Sequence, residues 1–106
     1  MSAPKFVKPL TTACKEVCEH SGSRFEAKVT GDPFPKVEWF CNDKKIQEGK
    51  RAIFDVEEDK GLVVLTIPDT RRDEEGVYKC VVTNTHGKAE SCAEVLVEFD
   101  PYEKAQ

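Results

Sequence analysis

The stretch from residue 73 to residue 84 constrains this chain more than any other. Val77, Tyr78, Lys79, Cys80, Val81, Val82 and Thr83 are mostly β-branched or aromatic, the composition of a strand on a half-buried pleated surface. Alternation places Tyr78, Cys80 and Val82 on one face. The strand is entered through an acidic turn, Asp73, Glu74 and Glu75, and through Gly76. Upstream, residues 36–41 form a second such strand, and it carries the chain's single tryptophan, Trp39.

The rest of the chain repeats this theme. Residues 4–10 read as an extended edge segment with Pro9 at an edge or a break, because proline cannot donate to a ladder. Residues 14–19 resume as a second edge strand with Val17 facing in. Phe25, Ala27 and Val29 alternate with charges over residues 24–30, the mark of a half-buried strand. Gly31, Asp32, Pro33 and Pro35 make a turn cluster, and residues 42–45 a polar turn. A strand is expected over 51–56, a reversal over 57–61, and a strongly β-prone strand over 62–67 that Pro68 stops. Asn84 to Gly87 closes a hairpin, with Gly87 expected at positive φ. In the last strand, over 89–99, Ala89, Ser91, Ala93, Val95 and Val97 point one way, and Glu90, Cys92, Glu94 and Glu98 the other. About eight or nine short strands with turn signals roughly every 8–12 residues, and no helical period, indicate an all-β, two-sheet sandwich. One domain over residues 4–99 is expected, with linkers at 1–3 and 100–106.

Composition narrows the function. The formal net charge is −4, which argues against a nucleic-acid or anionic-membrane binder, since both need a basic face. No apolar run approaches the roughly 18 residues of a membrane span, and the first residues show no apolar signal region. The five cysteines are odd in number and irregularly spaced, unlike a disulfide framework. No Asn-x-Ser/Thr acceptor occurs. Both features point to a reducing, intracellular setting.

No catalytic constellation emerges. Cys14, Cys18 and His20 could suggest a metal cluster, but four strand residues span about 13 Å, too far for two sulfurs on one zinc. The same span exceeds the roughly 7 Å Cα separation of a disulfide, so these read as ordinary surface thiols. Cys41 shares the Trp39 face as a small apolar filler. Cys92 sits among glutamates; it, Cys14 and Cys18 are the better candidates for oxidation. The clusters Glu57, Glu58, Asp59 and Asp73, Glu74, Glu75 lack the spaced oxygens of a calcium loop and read as solvated turn charge. His20 and His86 have no placed nucleophile. Arg71 and Arg72 are expected to pair with residues 73–75. Lys44, Lys45, Lys50 and Arg51 are too few for a nucleic-acid footprint, and no phosphate-binding glycine loop occurs. Neither cofactor nor metal is expected.

Gly31-Asp32-Pro33-x-Pro35-x-Val37-x-Trp39, Leu62-x-x-Leu65-x-Ile67, Asp73-x-x-Gly76-x-Tyr78-x-Cys80 and Asn84-x-x-Gly87 together resemble the intermediate-set (I-set) immunoglobulin domain over roughly residues 3–99. Tyr78 then matches the tyrosine corner of that sandwich. The segments around Phe25 to Gly31 and Gly87 to Glu90 are most similar to domains of giant muscle proteins such as titin, twitchin, obscurin and myosin light-chain kinase.

The resemblance implies two antiparallel sheets in a Greek key, with Phe25, Ala27, Trp39, Leu65, Ile67, Tyr78 and Cys80 as core. Secreted members bridge the Cys80 position to a cysteine on an earlier strand, and here that position is Ala27. No disulfide is expected, and losing such a bridge typically costs about 2–5 kcal/mol, which favours a cytoplasmic home. The implied function is a non-enzymatic spacer, mechanical element or docking site in a sarcomeric or cytoskeletal protein. Its partners would be other proteins and neighbouring domains, the domain itself monomeric, and any kinase would lie elsewhere in the parent. The strand around Val17 is expected to pair in parallel with the strand around Val95. An extracellular adhesion or receptor module is the alternative.

Overall fold

The structure, a computed structural model, describes residues 1–12, 16–18, 20–71 and 74–98. Its elements are β1 (Ser2–Thr12), β2 (Glu16–Cys18), β3 (Ser23–Asp32), β4 (Lys36–Cys41), β5 (Lys44–Lys45), β6 (Ile53–Glu57), β7 (Leu62–Ile67), β8 (Gly76–Asn84) and β9 (Gly87–Glu98). Among the described residues these form two sheets, ordered β1-β3-β7-β6 and β2-β9-β8-β4-β5. The neighbours in each sheet run antiparallel except β2 and β9, which run parallel. The chain is an all-β immunoglobulin-like sandwich.

The inner faces are the alternating sets that the residue pattern dictates. Phe25, Ala27 and Val29 on β3 meet Val63, Leu65 and Ile67 on β7, all at most 3% exposed. From the other sheet come Trp39 on β4, Tyr78, Cys80 and Val82 on β8, and Val95 on β9. The Phe25 and Tyr78 rings stack with centroids 4.5 Å apart, and Trp39 tilts against Phe54 at 6.5 Å. Burying each large apolar side chain is worth about 1.5–3 kcal/mol relative to leaving it in water. The sheets are therefore held by side-chain packing. Between the β3 and β7 ends, the buried hydroxyls of Ser23 and Thr70 satisfy each other, Oγ to Oγ1 at 2.6 Å.

Several local expectations are corrected. Of the two placements open to Pro9, the edge holds and the break does not: β1 is an outer strand of its sheet and runs on to Thr12. It absorbs the proline through a bulge, taking three residues from Lys8 to Thr11 where β3 takes two, Lys28 to Glu26. As a strand, β1 begins at Ser2, opposite Asp32, where the extended segment is expected from residue 4. Lys44 and Lys45 form a short strand rather than only a turn, while the strand expected from residue 51 begins at Ile53. Gly87 is not a positive-φ residue; Gly61 (φ 69°) and Gly76 (φ 138°) are. Glycine is needed at 87 because a Cβ there would lie 2.9 Å from the Ala3 side chain. Residues 99–106, including the expected linker, lie outside the described residues.

Candidate functional site

At one end of the sandwich, the turn before β8 is tied down from several sides. The Tyr78 hydroxyl donates to the Glu74 carbonyl at 2.6 Å, and the Cys41 thiol points to the same oxygen at 3.7 Å. The Glu74 carboxylate accepts from the Arg51 guanidinium and from the Arg71 amide, each at 2.7 Å. Glu74 thus pairs with Arg51 on the facing connection, not with the Arg71 side chain; Arg72 and Asp73 lie outside the described residues. Asn42, at φ 50°, completes the turn: its Oδ1 accepts from Val77 N at 3.0 Å and its Nδ2 donates to Glu75 O at 2.9 Å. Gly76 has to be glycine, because a Cβ there would overlap the Asn42 amide.

The same turn reaches the last strand. A Glu75 carboxylate oxygen accepts from Val97 N at 3.0 Å. Successive strand amides point to opposite edges, so the Leu96 and Glu98 amides face β2. There the parallel ladder registers Glu16 with Leu96, Val17 with Val97 and Cys18 with Glu98. Val17 therefore lies opposite Val97, two residues beyond Val95, which is instead a fully buried core residue opposite Gly76. On the far side of β9, Leu10 N donates to Ser91 Oγ at 2.9 Å, joining β1 across the sandwich edge.

At the opposite end, Asn84 gathers three segments. Its Nδ2 donates to Ser2 O at 2.8 Å and to Pro33 O at 3.0 Å, while Oδ1 accepts from His86 N and Gly87 N. Residue reading missed Asn42, Glu75 and Asn84 as anchors. The available signal was asparagine's tolerance of left-handed backbone and its habit of bonding nearby main chain.

The thiols and charges sort by environment. Cys80 is fully buried opposite Trp39, and burial pushes its thiol up to about 12. Cys80 and Cys92 are free cysteines, Cys92 exposed. Cys14 and the Cys18 side chain lie outside the described residues. His20 places Nδ1 2.8 Å from Asp69 Oδ1, and that hydrogen bond holds the Asp69 carboxyl below its ordinary value. Glu57 pairs with Lys60 at 3.4 Å within its own turn. Lys45 binds Glu38 at 3.1 Å and lowers that carboxyl too. Among the described residues no group of three or more His, Cys, Asp or Glu side chains could hold a metal ion.

Comparison with known proteins agrees with this architecture. The family model described as the immunoglobulin I-set domain matches residues 4–97. The chain is 38% identical over 95 residues to telokin of Meleagris gallopavo, covering 90% of this chain and 60% of that one. It is 37% identical over 80 residues to the muscle M-line assembly protein unc-89 of Caenorhabditis elegans, covering 74% of this chain and 1% of that one. The chain thus spans less than two thirds of these relatives' length. The crystal structure of titin domains z1z2 in complex with telethonin superposes with a TM-score of 0.84 at 33% identity, covering 94% of this chain and 50% of that one.

Proposed function

Because the chain belongs to the immunoglobulin I-set family, with relatives among muscle and titin-like proteins, we propose that it is a load-bearing and protein-docking link in a sarcomeric or cytoskeletal protein. The fold is non-catalytic, and any kinase of the parent would lie in another domain. Residues 100–106 would lead to a neighbouring domain, and the isolated unit would be monomeric in the cytoplasm.

The parallel pairing of β2 with β9 carries this reading. In a parallel pair, the start of one strand and the end of the other lie at opposite ends of the ladder. Tension entering before β2 and leaving after β9 therefore slides the two strands past each other. All ladder bonds are then loaded together rather than unzipped singly. Among the described residues Cys80 is a free cysteine, and Ala27 stands on the facing sheet, which supports a reducing environment. The titin z1z2 structure is a complex with telethonin, which supports protein partners for this chain as well.

Single-molecule pulling by the chain ends tests the mechanical part. One cooperative unfolding event at high force supports it, and smooth extension at low force overturns it. Thiol titration of the denatured, unreduced protein tests the setting: five reactive thiols fit a reduced domain, and fewer favour an extracellular one.

A further inference from the structure

On the outer face of the β1-β3-β7-β6 sheet, two lysines stand directly opposite one another, Lys8 on β1 and Lys28 on β3. Like charges so placed repel and destabilise an antiparallel pair. The carboxylates nearby do not relieve them. Glu26 is held by Arg24 at 2.8 Å, and Glu57 by Lys60 at 3.4 Å. Asp55 lies across the sheet on β6, opposite Val64 rather than a lysine. Among the described residues neither Lys8 nor Lys28 takes part in an ion pair.

The β1 bulge shapes the surface beside them. Beside the register slip between Lys8 and Thr11 lies an open hollow of about 310 Å³ whose lining includes Lys8, Pro9, Glu26, Lys28 and Leu62. Its lining thus sets the two lysines beside Pro9 and Leu62, with Glu26, held by Arg24, also at the wall. Proline also leaves no amide there to be satisfied.

We infer that this hollow docks an extended acidic peptide segment of a partner protein. One carboxylate bridges Lys8 and Lys28 while an adjacent apolar side chain packs on Pro9 and Leu62. A peptide fits better than a broad anionic surface. The chain as a whole carries −4 and Asp55 shares this face opposite Val64, so a broad membrane or nucleic-acid surface is disfavoured outside the two-lysine spot. The bound carboxylate replaces a repulsion with two attractions, and the strain of the free state becomes selectivity for an anion. This inference deepens the docking half of the proposed function and rests on it; the mechanical half is independent.

The test is an amide NMR titration with the acetylated, amidated peptide Glu-Glu-Leu-Glu-Glu. The same residues with lysine for glutamate serve as one control, and phosphatidylserine vesicles as another. Saturable shifts confined to Lys8, Thr11, Lys28 and Leu62, weakening with added salt, are expected. Lys8→Glu should weaken binding by at least about tenfold while leaving thermal stability equal or higher, because it turns the repelling pair into an attracting one. Shifts that are absent, spread evenly over the surface, or unchanged by Lys8→Glu overturn the inference. So does binding to vesicles without binding to the peptide. If the peptide fails while the pulling behaviour holds, the docking surface falls and the mechanical reading stands.

Discussion

The Tyr78 hydroxyl and the Glu74 carbonyl lie 2.6 Å apart, so a core aromatic on β8 also fixes the turn that delivers β8 into the sheet. The ring of Tyr78 stacks on Phe25 whether or not the hydroxyl is present. Tyr78→Phe therefore removes the hydrogen bond and keeps the packing. It should lower stability by about 1 kcal/mol, with the urea midpoint falling and the slope unchanged. Loss of several kcal/mol, or a changed slope, would mean that the turn and the core are more tightly coupled than this geometry implies.

Cys80 supplies a pH signature. Its folded value of about 12 stands above its ordinary 9.0, so the folded state holds the thiol proton more tightly than the unfolded state. The resulting stabilisation is fully present below pH 9.0 and is lost as pH rises through about 12. Cys80→Ala should flatten the fall in stability across that window, at the expense of a small cavity beside Trp39. Urea midpoints of both proteins against pH measure it; parallel curves would contradict the burial argument. In the native protein Cys92, being exposed, should react with a thiol reagent far faster than Cys80.

Asn84 makes four hydrogen bonds to three segments. Asn84→Ala should cost about 2 kcal/mol, counting the loss of more than one ordinary bond. The effect should be local: amide exchange should speed up in the first residues of β1 and in the β8–β9 hairpin, with the β4 and β7 amides little changed apart from the global loss. Uniform acceleration everywhere would show that Asn84 is not a local clasp.

Much of this fold was legible in the residues, and the reason is composition. β8 sets Tyr78 among β-branched residues, β4 carries Val37, Trp39 and Phe40, and strict alternation leaves a single choice of inner face for Phe25, Ala27 and Val29 on β3. Register was less legible. A slip of one residue reverses a strand's faces, but a slip of two preserves them, so alternation could not distinguish Val95 from Val97 as the partner of Val17. Pro9 left two placements open, an edge or a break, because a missing amide suits both; β1 is an edge strand that carries the proline beside a bulge. Gly87 misled because small size and positive φ leave the same letter in a sequence; only the approach of Ala3 separates them. The Lys8–Lys28 opposition is invisible until β1 is registered on β3, as the two are far apart in the chain.

The parallel β2–β9 ladder is the centre of the account, and Leu96→Pro addresses it most directly. The Leu96 side chain is 45% exposed, so little packing is lost. Its amide faces β2, so proline removes a ladder bond that no neighbour replaces. As a control, Asp55→Pro places the same defect in β6, at the edge of the other sheet and away from the strands that tension reaches first. In single-molecule pulling by the chain ends, Leu96→Pro should lower the unfolding force sharply, and Asp55→Pro should lower it far less even where both reduce equilibrium stability alike. Unchanged force in Leu96→Pro, or an equal drop in the two variants, would contradict the claim that this ladder bears the load.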